Sequence, residues 1–147
     1  MNSTKSKIVF CLILVFGVAG CQKDDVPSQR EIALSFLTDN SQKQWVFDQS
    51  TVDGQVHTPT VCDNAYVLVL KNDFTWQEYY LELQCSQISE GQWSLNEELD
   101  VISISYLNPI TGSTEERHFE IEELSDEFFA YQFAENNRMK YVRLKRG

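Results

Sequence analysis

From Gln44 onward the chain alternates. Trp45/Phe47, Trp93/Leu95, Ile102/Ile104/Tyr106, Phe119/Ile121 and Phe129/Tyr131/Phe133 set large apolar side chains two positions apart. Gln44, Gln92, Ser94, Ser103, Ser105, Glu120 and Glu122 occupy the intervening or flanking positions. A period of two is that of a strand with one dry face and one wet face. The pattern predicts strands over about 44–51, 64–71, 75–84, 90–96, 99–107, 115–124, 127–134 and 138–146. Their separators carry turn chemistry: Asp53-Gly54, Asn72-Asp73, Glu90-Gly91, Asn108-Pro109 with Thr111-Gly112, Ser125-Asp126 and Asn136-Asn137. Upstream, Ser28-Gln29-Arg30-Glu31 has the form of a capping box, followed by Ile32, Leu34, Phe36 and Leu37. That combination predicts a short helix over about 28–37.

No long helix interrupts the strands, which excludes a parallel α/β sheet. Nearly all connections are hairpin length, and the longest runs over about 52–63. Short connections favour an eight-stranded antiparallel up-and-down barrel over a Greek-key sandwich, which needs a long crossing. Trp45, Phe47, Trp93, Ile104, Phe119, Ile121, Phe129, Tyr131 and Phe133 would converge inside such a barrel and are the candidate cavity lining. Eight strands enclose a space that side chains can just fill or that holds one small ligand, so a hollow and a packed interior both stay open.

The N-terminus reads as an address. Lys5 and Lys7 precede an uncharged run from Ile8 to Val18, too short for the ~20 residues of a membrane span but suited to a signal peptide. It ends in Val18-Ala19-Gly20-Cys21, small residues ahead of a Cys, which resembles the bacterial lipobox. In lipobox proteins the signal is cut before the Cys and the thiol carries a diacylglycerol. The expectation is a cleaved signal over 1–20, a lipidated tether over 21–27 with the lipid on Cys21, and a barrel domain over 28–147. An ordinary secretory signal with an incidental Cys is the alternative. Cys21-Gln22-Lys23-Asp24-Asp25 is similar to the surface-export signal of Bacteroidota lipoproteins. It points to an outer-membrane anchor with the domain at the cell surface, and a periplasm-facing domain is the alternative.

Cysteine use agrees with export. Cys11 leaves with the signal and Cys21 takes the lipid, so Cys62 and Cys85 remain as a pair. In an oxidising compartment a disulfide is expected, with two buried free thiols as the alternative. A four-residue loop at Asn72–Thr75 would set the two cysteines opposite each other at the open end of a hairpin. No Cys-x-x-Cys motif is present, so the pairing is structural.

The order of features resembles that of the bacterial lipocalin-like lipoproteins. The matching features are the lipobox, the short helix, a Trp early in the first strand (Lys43-Gln44-Trp45) and a Cys before the second strand (Cys62-Asp63). Cys85, a Gly-x-Trp opening the fourth strand (Gly91-Gln92-Trp93) and the segment His118-Phe119-Glu120-Ile121-Glu122-Glu123-Leu124 near the aromatic-rich end complete the match. The resemblance spans about 28–147. It implies that Trp45 sits at the closed end of the barrel under a basic residue of the last strand, for which Arg143 is the candidate. Lys43 stands where the wider lipocalin pattern has Gly.

Charge and composition narrow the partners. Hydrophobic residues make up 42% and charged residues 23%, which is not a disordered composition. The net charge of −10 becomes −12 once the two signal lysines are cut away. Such a chain is a poor ligand for nucleic acid and is repelled by anionic membrane surfaces, so lipid alone would hold it there. His57 and His118 have no Cys or His at ligand spacing, so no metal and no cofactor is expected. The acidic runs around Glu97, Glu115 and Glu120 read as a solvated outer face. Glu78 and Glu82 share a face with Trp76 and Tyr80; a glycosidase would need two carboxyls about 5–10 Å apart in a cleft, and an exposed strand face is the expectation.

The sequence therefore predicts a monomeric, non-enzymatic envelope lipoprotein. Its barrel would bind a small, largely apolar ligand, with Gln55–Val61 and Asn108–Gly112 as loops beside the mouth. The alternative is a filled barrel that binds a protein or glycan through its loops or acidic face.

Overall fold

The Ser28 box forms as its spacing requires. The Ser28 hydroxyl accepts from the Glu31 amide at 3.2 Å, and the Glu31 carboxylate accepts from the Ser28 amide at 2.6 Å. Helix α1 (Gln29–Thr38) follows and stops where Asp39 and Asn40 turn left-handed. The structure is a computed structural model, and it describes residues 26–85 and 89–147. The segment expected to be a signal sequence, and Cys21 with it, lie outside the described residues.

Beyond the helix the chain is one antiparallel meander: β1 (Gln42–Val52), β2 (Gln55–Val56), β3 (Tyr66–Lys71), β4 (Thr75–Tyr80), β5 (Ser89–Leu95), β6 (Val101–Leu107), β7 (Thr114–Leu124), β8 (Phe128–Glu135) and β9 (Arg138–Arg146). Each long strand pairs with the next, and β1 also pairs with β9 from Trp45↔Arg146 to Val52↔Lys140. That last pairing closes an eight-stranded up-and-down barrel and leaves no long open edge. The two-residue β2 is an addition to the eight strands expected. Asp53 and Gly54 both take positive φ, which folds β2 back onto β1 through a two-residue turn. The barrel pairings and the hydrophobic core found among the described residues lie within residues 29–147, with the Ser28 cap just ahead, so segment 26–147 carries all of these contacts.

Two expectations about the second hairpin need correction. Lys71 to Thr75 enclose a three-residue loop, not four, because Phe74 takes the left-handed conformation (φ 62°) and Leu70, not Lys71, faces Trp76. The strands also end at Tyr66 and Tyr80, short of the cysteines. Cys62 lies in the short helix α2 (Val61–Ala65) and Cys85 in a single 3₁₀ turn (Leu83–Cys85). Helix α2 starts at a second capping box, Thr60 with Asp63, in a stretch expected to be loop and strand. The disulfide forms, with the two Cα atoms 5.4 Å apart, and it ties these two helical turns together above the barrel.

The closed end is sealed by α1. Trp45 is fully buried and donates its indole N–H to the Leu37 carbonyl at 3.1 Å. Arg30 reaches the Leu95 and Asn96 carbonyls at 3.1 and 3.2 Å. Lys43 is also inside, 3% exposed, with its ammonium 4.4 Å from the Trp45 ring centroid. The basic cover of Trp45 is therefore Lys43 and not Arg143. Leu144 points inward on β9, so its neighbour Arg143 points out, where it pairs with Asp48 at 2.7 Å and lies over Phe128.

Candidate functional site

The barrel interior divides along its axis. At the closed end Trp45, Trp93, Leu95, Leu144 and neighbours pack into a solid floor. Trp93 belongs to this floor: it is 3% exposed, donates to the Lys71 carbonyl at 3.0 Å and meets Phe74 ring to ring at 5.2 Å. Above the floor the barrel is hollow. A cavity of about 310 Å³ reaches from Leu70, Ile102 and Phe129 up to His57, Asp63 and Lys140 at the open end. A second chamber of about 630 Å³ adjoins it beneath the Asn108–Ile110 loop. Glu78, Tyr80, Ile104 and Arg117 line both.

Six of the nine residues expected to line a cavity do so: Phe47, Ile104, Phe119, Phe129, Tyr131 and Phe133. Trp45 and Trp93 form the floor beneath it. Ile121 packs against the core but does not line the cavity; the β7–β8 register shifts just beyond it, between Ile121 and Glu123. Both expected loops flank the mouth, His57 bordering the first chamber and Asn108, Pro109 and Ile110 the second.

The polar part of the wall was not expected. Trp76 is 2% exposed, so its strand presents Trp76, Glu78 and Tyr80 inward. Glu78 is thus not on an exposed face. Glu82 lies past the end of β4 and is exposed, so the two carboxyls do not form a pair. Glu115, assigned to the outer face, also turns inward and accepts from the Tyr106 hydroxyl at 2.7 Å and from Asn108 at 2.5 Å. Arg117 stands 5.0 Å over the Tyr106 ring. Lys140 projects into the cavity from β9 and pairs with Glu135. The signal that could have revealed this wall is the i, i+2 relation of Glu78 to a buried Trp.

Tyr66 donates its hydroxyl to Glu78 at 3.2 Å. Burial pushes the Tyr66 hydroxyl well above its ordinary pKa, and the charges of neighbouring groups add to this. Burial, with the nearby Glu78 charge, raises Tyr131 and Tyr80 as well. All three phenols are therefore neutral at physiological pH, surrounding one carboxylate. At the mouth, His57 approaches Asp63 at 3.4 Å. Among the described residues no group of three or more His, Cys, Asp or Glu is placed to hold a metal ion. His118 faces outward and shares a hydrogen bond with Ser103 at 2.8 Å.

The rim of the open end is apolar and wet. Val56, Val61, Leu81, Leu83, Leu107 and Ile110 are all exposed there, Leu83 at 94% and Ile110 at 92%.

Comparisons with known proteins bear on the fold. No family model and no curated protein matches the chain. Among solved structures, a lipocalin-like protein from Bacteroides uniformis superimposes with a TM-score of 0.54 at 14% sequence identity. The match covers 74% of this chain and 99% of that one. The fold is thus a lipocalin-like β-barrel, closed on itself with a short helix ahead of it.

Proposed function

We propose that the protein is a lipid-anchored envelope lipoprotein whose barrel binds a small, largely apolar molecule without transforming it. The observation that carries this reading is the hollow above the Trp45/Trp93 floor. At about 310 Å³ it falls within the ~300–1,000 Å³ of small-molecule sites. Its depth is lined by Leu68, Leu70, Ile102, Phe119 and Phe129, and its polar groups gather toward the mouth. An amphipathic guest would place its apolar body on the floor and its polar end among the tyrosines.

The anchor rests on the lipobox before Cys21, and exposure at the cell surface on the Lys23-Asp24-Asp25 run that follows it. The test is mass spectrometry of what organic solvent extracts from the purified protein. Stoichiometric recovery of a small hydrophobic species supports the reading. A protein that carries nothing and takes up no hydrophobic fluorophore contradicts it.

A second reading has one observation behind it. The exposed Leu83, Ile110 and Val56 form an apolar rim of the kind that marks an interaction surface. It would make the mouth a contact site for a protein or glycan partner.

A further inference from the structure

The charges facing the hollow do not balance. Lys140 is matched by Glu135, and His57 by Asp63. Arg117 sits over Tyr106, whose hydroxyl holds Glu115, and the Arg117 charge helps keep the Glu115 carboxyl below its ordinary pKa, after the hydrogen bonds from Tyr106 and Asn108. Glu78 has no such counterpart. It stands on the wall common to both chambers, half-buried, and its one side-chain hydrogen bond among the described residues comes from the neutral Tyr66 hydroxyl. No Lys, Arg or His nitrogen among the described residues lies within 4.0 Å of it. Taken together, the two chambers are lined by Asp63, Glu78, Glu90 and Glu115 against Arg117, Lys140 and His57.

A carboxylate partly withdrawn from water favours a cation close by, because its lost hydration is otherwise only partly replaced. The surroundings of Glu78 suit one kind of cation. Tyr66 and Tyr80 meet edge to face beside it with centroids 5.6 Å apart, and Tyr131 borders the same cavity. Aromatic faces around a carboxylate attract a compact or quaternary ammonium through their quadrupoles, and they do so more strongly where water is excluded.

We propose that the cavity's ligand carries a cationic nitrogen, an amine or quaternary ammonium group seated at Glu78 among Tyr66, Tyr80 and Tyr131, with its apolar body toward Leu70 and Phe129. This rests on the cavity being a ligand site at all. It adds the chemical class of the head group.

The experiment separates the two claims. The barrel segment 26–147 is titrated calorimetrically at low ionic strength with octyltrimethylammonium, octanoate and 1-octanol, which share a chain and differ in head charge. The ammonium probe is expected to bind at least about tenfold more tightly than octanoate, a difference of about 1.4 kcal/mol. Glu78→Gln brings that ratio toward one, and Arg117→Gln raises it. Octanol binding with octanoate equal to or tighter than the ammonium probe overturns the inference and leaves the cavity reading standing. A ratio unmoved by Glu78→Gln in a variant that keeps its circular dichroism also overturns it. Binding of none of the three probes overturns the cavity reading, and the inference with it.

Discussion

Lys43 and Asp126 lie 2.9 Å apart, one 3% exposed inside the barrel floor and the other at the surface. The lysine ammonium also donates to the Phe36 and Asp126 carbonyls at 3.0 and 2.6 Å. It joins α1, the β7–β8 turn and the first strand at one point, under which Trp45 packs. Replacing Lys43 by Met keeps most of the stem's volume and leaves two carbonyls without their donor. Hydrogen bonds to charged groups contribute about 1.5–3 kcal/mol each in such settings, so Lys43→Met is expected to cost about 2–3 kcal/mol, read from the urea midpoint.

Asp126 makes the same contact sensitive to acid. The hydrogen bond from Lys43 holds its carboxyl below the ordinary value of about 3.8; desolvation opposes it, and the Lys43 and Arg146 charges reinforce it. A carboxyl whose pKa is lower in the folded state stabilises the fold above its unfolded pKa, and that contribution is lost as pH falls through the folded value. The loss is therefore expected below about pH 4. Asp126→Asn should flatten the decline of thermal stability between about pH 4 and pH 2, measured in matched buffers. A decline as steep as that of the parent chain would remove Asp126 from the account.

How far the sequence could be read depended on how local each signal was. The Ser28/Glu31 box is complete within four residues, and α1 forms where it predicts. The alternation of Ile102, Ile104 and Tyr106, or of Phe129, Tyr131 and Phe133, assigns inner faces correctly because a strand has only two faces. Height along the barrel axis has no such code. Nothing in the spacing separates Trp93 in the floor from Phe133 near the mouth. The Thr60/Asp63 box was as local as the first, but it sits just ahead of Tyr66-Val67-Leu68-Val69-Leu70, whose strand pattern masks it. The hairpin register missed by one residue because Phe74 adopts a left-handed conformation that aromatic residues seldom take. Glu78 and Glu115 were assigned to water because acids usually go there; their inward position follows from Trp76 and Tyr106 on the same walls.

The Cys62–Cys85 bridge holds α2 to the 3₁₀ turn beside the cavity mouth. Its residues are 23 apart, and closing a loop of that size restricts the unfolded chain by about 3 kcal/mol. The double variant Cys62→Ser/Cys85→Ser should melt about 10 °C lower, by calorimetry. It should also bind hydrophobic fluorophores more weakly, since the walls around Asp63 and Tyr80 lose their tie. An unchanged melting temperature would show that the bridge does not stabilise the fold.

The proposed anchor has a direct chemical readout. Expressed in a Gram-negative host, the chain should incorporate labelled fatty acid and partition into membranes. Cys21→Ala should abolish both while leaving the barrel's circular dichroism unchanged. Labelling of the Cys21→Ala chain would exclude that thiol as the lipid site.

The hollow above the floor is the centre of the account, and Ile104 is the residue to fill it. It is 7% exposed and lines both chambers. The measurement is displacement titration of a hydrophobic fluorophore on the barrel segment and on its Ile104→Trp variant, with circular dichroism as a check on folding. An indole at this position occupies the space where the chambers meet, so the folded variant should bind the fluorophore at least about tenfold more weakly than the parent. Equal uptake by both proteins would place the fluorophore on the apolar rim and contradict a binding site inside the barrel.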